Sequence, residues 1–180
     1  NGPIVVTGAT GGVGSIAIDM LDTRGYEVVA LTSKVGKSDY LKSIGARSVL
    51  LCDELNLGQR PMEKAQWGGA IDNLGGDVLT WLTRTVKYGG NIASIGLAAS
   101  PVLNTTVLPF ILRAVCLLGI NSVDTPRSIR HEVWKRIGDD LHPRHLDVIS
   151  ARTIKFNELP NAFQAYIDGT VTGRTVVKIT

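Results

Sequence analysis

Val5-Val6-Thr7-Gly8-Ala9-Thr10-Gly11-Gly12-Val13-Gly14-Ser15 joins a short apolar run to an amphipathic one. Residues 4–6 have the bare apolar character of a strand covered on both faces. Beyond the glycines, Val13, Ile16, Ala17, Met20 and Leu21 recur at i, i+3, i+4, i+7 and i+8, which predicts one buried helical stripe. In that setting the glycines take separate roles. Gly8 permits the tight turn out of the strand. Gly11 or Gly12 lets backbone approach a pyrophosphate where a Cβ would collide. Gly14 lets helix and strand pack closely. The first amides of the helix then face the phosphates, and the helix dipole favours negative charge there. On this reading Gly8, Thr10, Gly11, Gly12, Val13, Gly14 and Ser15 are candidate cofactor-binding residues.

Working outward, further apolar runs at 28–31, 48–51, 70–71, 92–95 and 115–120 read as strands. Helical patterns lie between them. Ser38 can cap a short helix carrying Tyr40, Leu41 and Ile44, with Gly45 ending it. Val78, Leu79, Leu82 and Val86 form a stripe closed by Gly89-Gly90. Thr125-Pro126 reads as N-cap and first helical residue, followed by Ile129, Val133 and Ile137 on one face. The alternation predicts an α/β fold, a doubly wound, parallel, six-stranded Rossmann sheet. The tail is different: 148–156 reads as a strand, Ala162, Phe163, Tyr166 and Ile167 as a helix ending at Gly169, and 174–179 as a last, alternating strand. With six strands already used, the boundary is expected between 1–147, the sheet domain, and 148–180, part of a second unit. A chain opening so directly on Pro3-Ile4-Val5-Val6 reads as a domain cut from a longer protein.

Composition narrows the classes. Of 180 residues, 44% are hydrophobic and 19% charged, which suits a soluble globular protein. The net charge of +3 comes without a Lys/Arg block, so nucleic acid is not an expected partner. No apolar run approaches membrane-spanning length, and no leader pattern is visible. Cys52 and Cys116 form no CxxC pair, which fits a reducing cytoplasm. No metal site is expected: His142 and His145 flank Pro143 in a predicted surface loop without a third ligand, and His131 sits on a polar helix face.

The end of the second strand bears on which nucleotide is held. An NAD site usually carries Asp or Glu there, to bond the ribose 2′-hydroxyl. Here the strand runs into Thr32-Ser33-Lys34, with no acid. Ser33 can donate to a 2′-phosphate and Lys34 supplies opposite charge, with Lys37, Ser38 and Arg47 in reserve. NADPH is therefore the expected cofactor. A solvated loop would carry the same residue types.

Several further stretches resemble the medium-chain dehydrogenase/reductase superfamily. Gly69-Ala70-Ile71-Asp72-Asn73-Leu74-Gly75-Gly76 is similar to its fourth strand and turn, and Tyr88-Gly89-Gly90-Asn91-Ile92-Ala93-Ser94-Ile95-Gly96-Leu97 to its fifth. Leu108-Pro109-Phe110-Ile111-Leu112-Arg113, leading to Leu117-Leu118-Gly119-Ile120-Asn121-Ser122, resembles the zinc-free, quinone-oxidoreductase-like branch called the acryloyl-CoA reductase family. Asp39-Tyr40-Leu41-Lys42-Ser43-Ile44-Gly45-Ala46 and Gly173-Arg174-Thr175-Val176-Val177-Lys178-Ile179 extend the likeness.

The resemblance implies a largely absent GroES-like domain, with the tail as the chain's return into it. It implies NADPH-dependent reduction of an activated C=C bond in an enoyl thioester, enone or quinone, and a fragment that binds cofactor without turnover. Gly96 and Leu97 would lie near the nicotinamide ribose, Asn121 and Ser122 near its amide, and Arg174 near the pyrophosphate, with Asn73 in the adjoining turn. A strand-ending turn, a turn residue and a surface charge are the plain alternatives for Gly96, Asn121 and Arg174. Asp72 is assigned no acid–base work, since a carboxylate there usually bonds loop backbone. The catalytic residues stay unassigned. The strand near 115–120 would pair across a two-fold axis in a homodimer, since an apolar edge is otherwise an aggregation hazard.

Two rivals stand. Thr7 to Gly14 also fits the TGxxxGxG opening of short-chain dehydrogenases. Their catalytic YxxxK pair is missing, because Ala30, Ile44, Ile92 and Thr170 follow the four tyrosines at that spacing. A non-catalytic NADPH sensor or interaction module would keep the glycine turn alone.

Overall fold

The computed structural model describes residues 2–179. Six parallel strands form one sheet: β1 (Ile4–Val6), β2 (Val28–Thr32), β3 (Ser48–Leu51), β4 (Trp67–Asp72), β5 (Val86–Ser94) and β6 (Cys116–Gly119). Their order is β3-β2-β1-β4-β5-β6, the doubly wound Rossmann arrangement. Between them run α1 (Gly12–Thr23), α2 (Ser38–Ser43), α3 (Gly76–Thr85) and α4 (Leu108–Arg113).

Strand alternation divides the core in two. Val5, Val29 and Leu31 point to one face and pack with Leu79, Trp81 and Leu82 of α3. Val6, Val28 and Ala30 point to the other and pack with Ile18 of α1 and Leu41 of α2. Both faces are covered, which is why these strands read as bare apolar runs. Trp67 and Trp81 meet edge-on, with ring centroids 5.7 Å apart, and seal the first layer.

Several local expectations are corrected. The predicted α1 stripe holds in part: Ile16, Ala17 and Leu21 pack partly buried against the core, while Val13 is exposed and Gly14, Ser15, Ile18 and Asp19 are the buried residues. Contact between Gly14 and the glycine turn draws Gly14 and Ser15 inward, as described below. Ser38 is the first residue of α2 rather than its cap; Lys37 takes the cap position, without a side-chain bond. Val86 leaves the α3 stripe. The helix stops at Thr85, whose hydroxyl bonds back to the carbonyl of Trp81 at 2.9 Å, and Val86 adopts extended backbone as the first residue of β5. Gly89 and Gly90 then lie inside β5, where the register shifts opposite Trp67 and Gly69. Likewise Pro126, not Thr125, precedes α5 (Arg127–Ile137); the Thr125 hydroxyl bonds the Asn121 carbonyl at 2.6 Å instead.

The tail is α6 (Leu146–Ile149), β7 (Arg152–Lys155), α7 (Leu159–Ile167) and β8 (Thr175–Lys178), with β7 and β8 paired in parallel. The single strand expected over 148–156 is thus a helical turn followed by a shorter strand. Burial explains the difference: Ile149 is drawn into the core layer beneath α1. Fully buried Asp19 holds α6 there, accepting the backbone amide of His145 at 2.8 Å and its Nδ1 at 2.9 Å. His145 is therefore half-buried and engaged, not a free surface residue.

Candidate functional site

The carboxyl ends of β1 and β4 lie side by side where the strand order reverses, the place where open α/β sheets leave a crevice. A cleft of about 400 Å³ opens there. A wider depression of about 580 Å³ lies at the opposite ends of β2 and β3. Its mixed lining of Asp22, Glu27, Lys42 and Arg47 gives a polyanion no preferred place.

The floor of the cleft is the glycine turn. Gly8 has φ +57°, the left-handed region open to glycine, and its carbonyl accepts the Gly11 amide at 2.9 Å. Gly14 sits against that turn so closely that a Cβ would lie 2.5 Å from the Gly8 carbonyl oxygen and 2.9 Å from the Ala9 Cα. The amides of Gly12, Val13 and Gly14 head α1, where helical geometry offers them no intrahelical acceptor. Gly11 is the N-cap and brings no side chain to compete for them. A bare floor, open amides and the positive end of a twelve-residue helix fit a diphosphate.

One wall is the turn after β4. Asp72 is fully buried and accepts the Thr7 hydroxyl at 2.8 Å, the Gly75 amide at 3.0 Å and the Leu74 amide at 3.3 Å. Asn73 donates its amide to the Thr7 hydroxyl at 2.9 Å and its side-chain Nδ2 to the Thr7 carbonyl at 2.7 Å. The Asp72 carboxylate is thus engaged by two loop amides and the Thr7 hydroxyl. This is the loop-bonding role expected of Asp72.

The opposite wall combines the end of β2 with the returning tail. The Thr32 hydroxyl accepts the Lys34 amide at 3.1 Å and lies 3.4 Å from the Thr10 hydroxyl. The Lys34 ammonium donates to the carbonyl of Val171. Partial burial, and then the charge of Lys37, draw the Lys34 ammonium below the ordinary lysine range. The Gly173 amide donates to the Thr10 carbonyl at 2.8 Å, and the Arg174 guanidinium lies over Gly12, where a Cβ would strike it. The residues present thus fit a phosphorylated dinucleotide, with cations at two points and bare amides between.

Of the expected site residues, Gly8, Thr10, Gly11, Gly12, Val13, Gly14, Ser33, Lys34, Asn73 and Arg174 line this one cleft. Ser15 does not. It is fully buried, donates its amide to the Gly11 carbonyl at 2.8 Å and its hydroxyl to the Ala9 carbonyl at 3.1 Å, and receives the Tyr40 hydroxyl at 2.9 Å. Burial raises the Tyr40 phenol above its ordinary range. Gly96 packs on the Asn73 turn, where a Cβ would fall 2.6 Å from the Asn73 carbonyl oxygen, while Leu97 projects outward; Ala98 supplies the lining at that end. Asn121 spends its side chain on its own turn, accepting the amides of Val123 and Asp124 at 2.9 and 3.2 Å. Leu74, Tyr166, Gly169, Val171 and Gly173 also line the cleft, and the sequence alone assigned none of them to the site. Only the glycines among them carry a local signal, since Gly169 and Gly173 have φ of +64° and +68°.

Residues 12–139 match the zinc-binding dehydrogenase family. The chain is 42% identical over 180 residues to acrylyl-CoA reductase AcuI of Ruegeria pomeroyi, covering 99% of this chain and 54% of that protein. Among solved structures, YhdH of Escherichia coli K-12 with bound NADPH superposes with a TM-score of 0.93 at 45% identity, covering 99% of this chain and 55% of the other. YhfP of Bacillus subtilis with NAD bound gives 0.94 at 43%, covering 99% and 54%. The chain thus spans about 55% of the length of such relatives. The fold, the glycine turn at the head of α1 and the family match over 12–139 agree, and the chain belongs to the zinc-binding dehydrogenase family.

Proposed function

We propose that the chain holds NADPH in the cleft between the glycine turn and the returning tail, as the cofactor-binding part of a reductase acting on an activated C=C bond. The observation that carries this is the pairing of an open helix start with Lys34 on the wall where an NAD site would place a carboxylate. The bound forms of two similar proteins, NADPH in one and NAD in the other, support a nicotinamide nucleotide. The charge at Lys34 favours the phosphorylated one.

Bound there, the cofactor supplies hydride. The amides of Gly12 to Gly14 and the Arg174 guanidinium would hold the diphosphate, Ser33 and Lys34 the 2′-phosphate, and the Asn73–Leu74 turn would direct the nicotinamide end toward Ala98. The substrate class we propose is an enoyl thioester such as acryloyl-CoA, or a related enone or quinone, in keeping with the acrylyl-CoA reductase relative. Groups that bind the acyl chain or protonate the enolate are assigned to the part of such an enzyme that this chain does not span. The isolated chain is accordingly a binder with little turnover.

We also propose a zinc-free reaction, a cytoplasmic setting and a homodimer. Cys52 and Cys116 are both free, in keeping with a reducing compartment. β6 is the sheet's edge strand, and Leu118 and Ile120 beside it are exposed, in keeping with strand pairing between copies. Light scattering is expected to give twice the chain mass, falling to one on Leu118→Lys.

Titration of the chain with NADPH and NADH by calorimetry, for the natural sequence and for Lys34→Glu, tests the cofactor assignment. The substitution is expected to weaken NADPH far more than NADH. Equal losses for the two nucleotides would refute the role given to Lys34, and absence of binding by either would refute the whole reading.

A further inference from the structure

We infer that the returning segment from Gly169 to Arg174 is a specificity element: it sets the preference for a 2′-phosphorylated nucleotide by holding the Lys34 ammonium in place. This rests on the NADPH reading above and adds to it a determinant far from β2 in sequence.

A lysine near a phosphate is a weak discriminator when its four-carbon stem swings freely, because binding must then immobilise it. Here the stem is already fixed. Lys34 Nζ donates to the carbonyl of Val171, 137 residues further along the chain. An ammonium has three donors, so one on Val171 leaves two for phosphate oxygens. The amide of Lys34 is itself fixed by the Thr32 hydroxyl, so both ends of the residue are tied.

The segment presenting Val171 is firmly seated. Gly173 donates its amide to Thr10, Arg174 donates its own to the Ile149 carbonyl at 2.7 Å, and Gly11 and Gly173 form an isolated parallel bridge. Gly173 has φ +68° and passes so close to Ile149 that a Cβ would collide with its carbonyl oxygen, and it would also lie 3.1 Å from the Tyr40 hydroxyl. No larger residue could bring the chain back along this line. The segment thus meets the pyrophosphate floor at Gly11 and the phosphate cation at Lys34 together. Only the second of these contacts distinguishes NADPH from NADH.

The test is a double-mutant cycle read as the ratio of NADH to NADPH dissociation constants. Gly173→Val displaces the segment, and Lys34→Met removes the ammonium. Any harm to Arg174 or to the pyrophosphate floor weakens both nucleotides and cancels in the ratio. Gly173→Val is expected to lower the preference for NADPH by about two- to tenfold, the cost of immobilising one long side chain. In the Lys34→Met background it should change the ratio no further. An equal fall in that background, or none in the natural one, overturns the inference.

If Gly173→Val does not fold, hydrogen exchange on the unaltered chain decides. By reciprocity of coupled binding, saturating NADPH should slow exchange of the Gly173 amide more than saturating NADH does. Equal slowing overturns the inference while leaving the cofactor assignment intact. Failure to bind either nucleotide instead removes the reading on which it rests.

Discussion

Replacing Gly14 by alanine should separate folding from ligand binding, because the new methyl group would meet only the backbone of the glycine turn. Its Cβ would stand 2.5 Å from the Gly8 carbonyl oxygen, 2.9 Å from the Ala9 Cα and 3.1 Å from the Ala9 carbonyl carbon. Comfortable contacts of this kind begin near 3.4 Å, so turn and helix must part by close to 1 Å. None of these atoms is the end of a flexible side chain, and the Ala9 amide is tied to the Leu31 carbonyl of β2 at 3.1 Å. For stability the terms oppose each other: alanine gains about 1 kcal/mol of helix propensity over glycine, and overpacking costs about 1–3 kcal/mol. The expected net loss is at most about 2 kcal/mol, small enough to leave the chain folded. Binding has no such offset. A displacement near 1 Å between the turn and the Gly12–Gly14 amides misaligns a preorganised diphosphate site, and errors of that size cost up to about 100-fold where geometry is demanding. Calorimetric titration with NADPH, beside a urea unfolding curve, is the assay. Gly138→Ala is the control, since it lies outside the cleft and its Cβ meets only ordinary contacts, at 3.5 and 3.6 Å. Retention of full NADPH affinity by Gly14→Ala, with the fold intact, would refute the claim that this contact places the phosphate-binding amides.

Three other outcomes are expected. The Lys34 proton is held less tightly in the folded chain than in the unfolded one, because burial and Lys37 disfavour the ammonium. Stability contributed through Lys34 should therefore rise with pH from its lowered value up to the ordinary lysine range, while NADPH affinity falls over the same interval as the ammonium is lost. NADH affinity should not follow that curve, and Lys34→Met should flatten it; an identical pH profile for the two nucleotides would exclude Lys34 from the phosphate site. Asp19→Ala should cost about 2–4 kcal/mol in urea unfolding, since it strips the His145 amide of its acceptor and opens a void beneath α6, and a loss under 1 kcal/mol would mean that α6 is held otherwise. Ala114 ends α4 at φ +48°, a left-handed position that costs an L-residue about 1 kcal/mol. Ala114→Gly should consequently raise the melting temperature by a few degrees, and a lower one would show that the methyl group packs usefully.

What could be read from the sequence was what depends on local contacts. The six strands could be located from apolar runs, because a sheet covered on both faces has no polar alternation to hide. The glycine turn was legible because Gly11 and Gly14 answer steric demands within six residues of themselves, at the Gly8 carbonyl. The misreadings share the opposite property. The burial of Gly14 and Ser15 in place of Val13 follows from contact between Gly14 and the Gly8 carbonyl, which a helical wheel does not contain. The helical turn at Leu146–Ile149 depends on a carboxylate 126 positions earlier in sequence, so a stretch of apolar residues there looked like a strand. Tyr166 and Val171 enter the cleft because the chain returns across α1, and nothing in their own neighbourhood marks them. Ser15 looked like a phosphate ligand by position, yet its neighbours Ala9 and Tyr40 consume its hydrogen bonds.

Two buried carboxylates explain how so open a site stays in shape. Asp72 gathers the Thr7 hydroxyl and the amides of Leu74 and Gly75, fixing the wall beyond β4. Asp19 gathers the amide and ring of His145, fixing α6, and the Ile149 carbonyl at the end of α6 receives the Arg174 amide. The glycine turn between these walls has almost no side chains with which to defend its own conformation, so its rigidity has to be imported from both sides. A buried carboxylate suits that purpose because it accepts several hydrogen bonds at once, each stronger than a neutral pair. Both acids are thereby committed to backbone and to neighbouring side chains. A site so built is prepared in advance, which lowers the ordering cost of capturing a ligand.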